Sequence, residues 1–177
     1  MPLAFRRLVA FVIAQWPWIA LASCAFMLGV AHYFQTFQGL MPCILCLKQR
    51  EAYWIAGGIA IAGIAAGYTP WRGWAVRLLC LALAAAFFYG MGYAIYHMGA
   101  EYKWWKGPAA CAIGGKGSAA DIAAMLNGVK QKVVSCEEPV WWFPSKSFGL
   151  TMAGWNVIIS LKLAVWSLIA AVKGRRA

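Results

Sequence analysis

Charge is scarce in this sequence. Only 12% of its 177 residues are charged and five are acidic, against about a quarter charged in an ordinary soluble domain. With 63% hydrophobic residues and a mean hydropathy of +0.66, this excludes a soluble globular domain and points to an integral membrane protein. A second short cysteine pair is also missing. Of Cys24, Cys43, Cys46, Cys80, Cys111 and Cys136, only Cys43 and Cys46 are closely spaced, whereas a structural zinc site usually draws on two such pairs. Acids, finally, are absent from the basic clusters Arg6-Arg7, Arg72 to Arg77 and Lys173 to Arg176. The basic residues gather at segment ends and loops rather than along one face. The net charge of +11 is therefore read as a topology signal and as contacts to lipid headgroups, not as a nucleic-acid footprint.

What is present is long apolar runs. They predict membrane spans over about 8–33, 47–67, 75–98 and 148–172, each long enough for roughly 30 Å of hydrocarbon. Outer loops are expected at 34–46 and 99–147. The fold class is all-α: an integral membrane four-helix bundle whose long outer loop contains a short amphipathic helix. That helix follows Ser118-x-x-Asp121, which resembles a capping box. Its apolar stripe is Ile122, Met125, Leu126, Val129 and Val133, a pattern suited to the membrane surface or to packing on a loop domain. Tryptophans and tyrosines, eleven and seven in number, fall often where apolar runs end, as interfacial belts do.

Smaller signals read as packing. Leu21-Ala22-Ser23-Cys24 resembles a lipoprotein cleavage box, but the apolar run continues beyond it, so Cys24 is taken as a small buried hydrophobe. Cys80 is read the same way. Gly63-x-x-x-Gly67 allows helices to approach closely. Lys162, deep in the last span, is read as snorkelling towards the cytoplasmic surface.

By the positive-inside rule both termini are cytoplasmic, and Cys43, Cys46, Cys111 and Cys136 face the opposite side. In a bacterium that side is oxidising, so disulfide chemistry is the sensible reading. The segment Met41-Pro42-Cys43-Ile44-Leu45-Cys46-Leu47-Lys48-Gln49-Arg50 is the centre of the chain. With a helix starting near Pro42, Cys43 and Cys46 share a face, and Arg50 lies one turn beyond Cys46. Helix-terminal N–H groups and a guanidinium lower a cysteine pKa, which makes Cys46 the expected thiolate. A lone C-x-x-C is also compatible with half a metal site or with inert thiols.

The sequence resembles the DsbB family of disulfide-bond formation proteins over nearly its whole length. The resemblance rests on Cys43 through Arg50, on His97-Met98-Gly99-Ala100-Glu101 with Trp104 to Pro108 ahead of Cys111, and on Phe148 through Asn156. It implies a bacterial inner-membrane thiol oxidoreductase that reoxidises a DsbA-like thioredoxin-fold partner and passes electrons to a quinone, ubiquinone or menaquinone. It implies resting disulfides Cys43–Cys46 and Cys111–Cys136, with Cys111 attacked by the partner, Cys136 then attacking Cys43, and Cys46 facing the quinone. Arg50, His97 and Glu101 would border the quinone site, and no metal ligand is assigned. The rival readings are a structural tetraspan protein with inert loop disulfides and a metal protein holding its ion on the four outer cysteines.

Overall fold

The computed structural model describes residues 3–108, 111, 132–133, 135–139, 141–145 and 149–174. Five helices carry the described chain: α1 (Leu3–Ala14), α2 (Trp16–Phe37), α3 (Ile44–Gly67), α4 (Arg72–Glu101) and α5 (Met152–Lys173). Four two-residue strands accompany them: β1 (Leu40–Met41), β2 (Lys132–Val133), β3 (Trp142–Phe143) and β4 (Leu150–Thr151). The architecture is all-helical, and among the described residues α2, α4 and α5 are long and apolar enough to cross a membrane. α3 has comparable length at 24 residues, but its first turns carry Lys48, Arg50 and Glu51.

Two features differ from the expected pattern. The apolar run over 8–33 is divided at Gln15 into α1 and α2. Pro17 explains the break, because it has no N–H to donate backwards and restricts the residue before it. The ladder resumes with the Ile19 N–H donating to the Gln15 carbonyl at 3.1 Å. The expected amphipathic helix lies almost wholly outside the described residues; Val133, assigned to its stripe, is instead in β2.

The chain forms two compact units. One comprises the N-terminal residues through Met27, Ala52–Tyr89 and the stretch from Ser160 onward. Its core is built of small residues, Ala20, Cys24, Ala56, Ala60, Cys80 and Ala164, with Leu83 and Phe87 filling the larger spaces. Small side chains let helix backbones approach closely where lipid supplies no hydrophobic drive. The buried polar groups here are paired: Trp16 Nε1 donates to Ser167 Oγ at 2.9 Å, and the Tyr53 and Ser160 hydroxyls meet at 3.1 Å. Cys24 and Cys80 are buried free thiols, as expected. Of the paired glycines, Gly63 packs against Pro17, whereas an added methyl at Gly67 would meet open space.

The other unit comprises Leu28–Glu51 and Gly90–Ile159. After α2, Gly39 takes a positive φ of 63°, a conformation that costs glycine little, and turns the chain into β1. β1 pairs in parallel with β2, Leu40 opposite Lys132 and Met41 opposite Val133. The segment between α2 and α3 is thus tied to the stretch before Cys136 by backbone hydrogen bonds. β3 and β4 pair antiparallel just before α5. Thr151 caps α5, its Oγ1 accepting the Gly154 N–H at 3.1 Å, the usual way to satisfy a first-turn donor.

α4 ends in a tight reversal. The Trp104 N–H reaches the Gly99 carbonyl at 2.8 Å and the Lys103 N–H the Ala100 carbonyl at 3.1 Å, with Lys103 left-handed at φ 59°. This is the Schellman arrangement. It folds Trp105 back along the helix, where its Nε1 donates to the Tyr96 carbonyl at 2.9 Å and its ring stacks on Tyr96. A Cβ on Gly99 would lie 2.0 Å from that ring, so glycine is required there.

Candidate disulfide-exchange site

Cys43 stands immediately before α3, at its N-cap. Its Sγ accepts the Cys46 N–H at 3.3 Å, and the two sulfurs are 2.8 Å apart. Three-residue helical spacing brings them together, as the sequence indicates. They are free thiols, however, so the second resting disulfide implied by the family resemblance is not formed here. Cys43 is buried and Cys46 half-buried. The Cys43 thiol is pushed down to about 5, first by the hydrogen bond from Cys46 and then by the His97 ring, which together outweigh burial. The sequence reading placed the thiolate on Cys46; in the structure the helix-start N–H serves Cys43.

The loop disulfide is present between Cys111 and Cys136, 25 residues apart in sequence. Both residues are buried and pack with Cys43 and Leu45, with Cys46 and Tyr93 against them. Attack by an outside thiolate needs access to the bond, yet both of its cysteines are buried. The physical cause is the β1–β2 pairing, which draws the stretch before Cys136 beside the stretch before Cys43. Glu137 adds a brace, its Oε1 accepting the Gly107 N–H at 3.1 Å. As a result the Cys43 sulfur, a His97 nitrogen and the Cys136 sulfur all lie within 4.8 Å of one another. Cys136 is committed to a disulfide, so the trio is not a thiolate metal site in this state. Two sulfurs from different redox pairs at this separation are positioned for thiol–disulfide exchange.

His97 is the hub of a buried polar network. Its Nε2 is 3.8 Å from Cys43 Sγ and 3.8 Å from Glu101 Oε1. Its Nδ1 lies 3.0 Å from Gln49 Nε2. Gln49 Nε2 also donates to the Leu45 carbonyl at 3.3 Å, and Gln49 Oε1 accepts from Asn156 Nδ2. The one-turn spacing of His97 and Glu101 is what joins them on α4. Glu101 Oε2 is buried and has no hydrogen-bond partner among the described residues. Gln49 and Asn156 belong to the motifs that carry the resemblance, yet sequence reasoning gave them no role. Their contact spans 107 residues, and no local pattern signals it.

Arg50 makes contacts to α2 that the sequence did not signal. Its Nη1 donates to Gln35 Oε1 and its Nη2 to the Ala31 carbonyl at 2.9 Å. The guanidinium thus fastens α3 to α2. It remains one turn from Cys46, on a stretch whose neighbours Ile44 and Leu47 are exposed. Lys162 is exposed on α5.

A family model for Disulfide bond formation protein DsbB matches residues 14–170. Among curated proteins, Disulfide bond formation protein B of Nitrosospira multiformis is 49% identical over 41 residues, 23% of this chain and 24% of that protein. The protein of the same name from Nitrosomonas eutropha is 49% identical over 39 residues, 22% of this chain and 24% of its own length. Disulfide bond formation protein B 2 of Pseudomonas syringae is 44% identical over 43 residues, 24% of this chain and 25% of that protein. The chain thus aligns with about a quarter of the length of these relatives. No solved structure matches it.

Proposed function

Because the chain belongs to the DsbB family of disulfide bond formation proteins, we propose that it is a membrane thiol–disulfide oxidoreductase that reoxidises a DsbA-like periplasmic protein and delivers the electrons to a membrane quinone. The observation that carries the reading is the approach of Cys136 Sγ to Cys43 Sγ, within 4.8 Å, which links the loop disulfide to the C-x-x-C pair. The four helices α2 to α5 would form a four-span bundle in the bacterial inner membrane, with both termini cytoplasmic and both cysteine pairs periplasmic. The basic, acid-free ends and the 68–77 turn support that orientation.

The exchange steps balance as follows. A partner thiolate attacks Cys111, forming a mixed disulfide and releasing Cys136 as thiolate. Cys136 attacks Cys43 of an oxidised Cys43–Cys46 pair, and Cys46 leaves as thiolate. The partner's second thiol resolves the mixed disulfide and frees Cys111. Cys111 then attacks Cys136, re-forming the loop disulfide and releasing Cys43. The outcome, a closed loop disulfide beside reduced Cys43 and Cys46, is the redox pattern of this structure. Cys111 is buried, so the partner thiolate must first gain access to it.

Restoring the Cys43–Cys46 disulfide removes two electrons and two protons, which a quinone takes up to become a quinol. The residues fit such a group: a half-buried Cys46, a guanidinium one turn away and the exposed apolar side chains of Ile44 and Leu47. Arg50 has further N–H groups to offer a carbonyl oxygen beyond those given to Gln35 and Ala31. The test mixes purified protein with a reduced DsbA-like protein and ubiquinone or menaquinone, following quinone absorbance and partner thiols together. Loss of two partner thiols for each quinone reduced supports the function. Partner oxidation without quinone loss, or no oxidation at all, would sink it.

A further inference from the structure

Gln49 is the one side chain in the network whose orientation is settled by its neighbours. One face of its amide meets the Leu45 carbonyl, which can only accept, at 3.3 Å. The opposite face meets the Asn156 amide, whose Nδ2 donates to Gln49 Oε1. The Leu45 carbonyl alone requires nitrogen on its side, since the reversed amide would set oxygen against oxygen there, and Asn156 then supplies the matching donor to the Gln49 oxygen. The second N–H of that nitrogen is then aimed at His97 Nδ1, 3.0 Å away. A ring nitrogen that accepts a hydrogen bond carries no proton, so in neutral His97 the proton sits on Nε2. Nε2 is the nitrogen that faces Cys43, at 3.8 Å.

We propose that Gln49, oriented by Asn156, is a positioning residue that fixes the His97 tautomer and so aims an Nε2–H donor at the Cys43 sulfur. In this tautomer His97 cannot take the Cys43 proton at Nε2, because that position is filled. It instead stabilises Cys43 whenever that sulfur is released as thiolate. All four polar residues are buried, Gln49 at 8%, His97 at 5%, Asn156 at 6% and Cys43 at 7% exposed, so water does not compete for these hydrogen bonds. The low pKa of Cys43, to which His97 contributes after Cys46, agrees with the geometry. Among the described residues, the other ionisable groups near Cys43 are Cys46 and Arg50 on α3 and Tyr93 and Glu101 on α4. Cys111 and Cys136 are held in a disulfide, and Thr151 of β4 and Asn156 of α5, which join this network, are uncharged. Glu101 Oε1 also lies 3.8 Å from Nε2, beyond hydrogen-bonding distance, so the Nε2 proton is left to the sulfur.

The role assigned to Gln49 rests on the thiol-exchange reading, but its test does not use turnover. The full chain, with its loop disulfide closed and Cys43 and Cys46 reduced, is alkylated with iodoacetamide across a pH series. Peptide mapping then separates Cys43 from Cys46. Gln49→Met should move the Cys43 midpoint up by about one pH unit, from about 5, slowing its alkylation at about pH 4 roughly tenfold and at pH 6 by less than twofold. Asn156→Leu should shift it in the same direction by less. In a His97→Ala background, Gln49→Met should add nothing, because it acts through the ring. An unchanged Cys43 profile in Gln49→Met, or a shift that adds to that of His97→Ala, overturns the proposal. Should Gln49→Met lose its helical far-UV signal, an unchanged profile in Asn156→Leu overturns it equally. Such a failure in a chain that still oxidises its partner leaves the function standing. The expected profile in a chain that never oxidises a partner has the converse meaning.

Discussion

Arg50 donates through Nη2 to the carbonyl of Ala31 at 2.9 Å, so the cation of the C-x-x-C motif holds α3 against α2. Electrostatic and mechanical roles then give different expectations for its replacement. Arg50→Lys keeps the charge but loses the planar fork, and should weaken quinone use while leaving some turnover. Arg50→Gln should reduce quinone turnover further, and should cost about 1–3 kcal/mol of stability from the lost charged hydrogen bonds. Exchange between the loop disulfide and the partner should survive in both. Quinone kinetics over a range of concentrations, single-turnover partner oxidation and thermal melting separate these effects. Wild-type quinone kinetics with a lowered Tm in Arg50→Gln would make the residue a fastener alone.

The buried thiols Cys24 and Cys80 belong to the packing of the other unit. Cys24→Ala and Cys80→Ala should therefore retain turnover, with modest losses of stability, while Cys111→Ala should abolish partner oxidation. Stopped-flow partner oxidation alongside melting curves checks this. Equal loss at all three positions in folded protein would count against the exchange relay.

Cys43 gives a pH signature in the reduced chain. Its folded-state pKa of about 5 lies below the ordinary thiol value of 9.0. A depressed pKa contributes stability that is present in full above the unfolded value and is lost as pH falls through the folded one. Thermal stability of the reduced chain should thus decline between about pH 9 and pH 5, and Cys43→Ala should flatten that slope. Melting curves across the pH series decide it, and an identical slope in Cys43→Ala would show that the thiolate is not stabilised in the folded state.

Gly99 lies directly beneath Trp105, where an added Cβ would fall 2.0 Å from the ring. Gly99→Ala should displace the indole, break its bond to Tyr96 and destabilise the chain by about 1–3 kcal/mol. In a Trp105→Ala background the same substitution should cost far less, since the obstructing ring is gone. Melting temperatures of the two singles and the double complete the cycle.

Membrane character, the helical class and the proximity of Cys43 to Cys46 were legible in the sequence. Each is local: apolar runs report their own burial in lipid, and three-residue spacing puts two side chains on one helical face. The break at Gln15 was equally local, carried by Pro17, although the apolar run obscured it. What only tertiary structure decided is which groups meet across the chain. The β1–β2 ladder sets the Cys136 stretch beside Cys43, where the Cys111–Cys136 disulfide is buried. The Arg50 guanidinium is turned to Gln35 and Ala31 on α2, and Asn156 finds Gln49 across 107 residues. A buried amide or a half-buried guanidinium takes its hydrogen bonds wherever the fold supplies partners, so the contacts of Arg50, Gln49 and Asn156 were set by packing and not by the motifs that contain them.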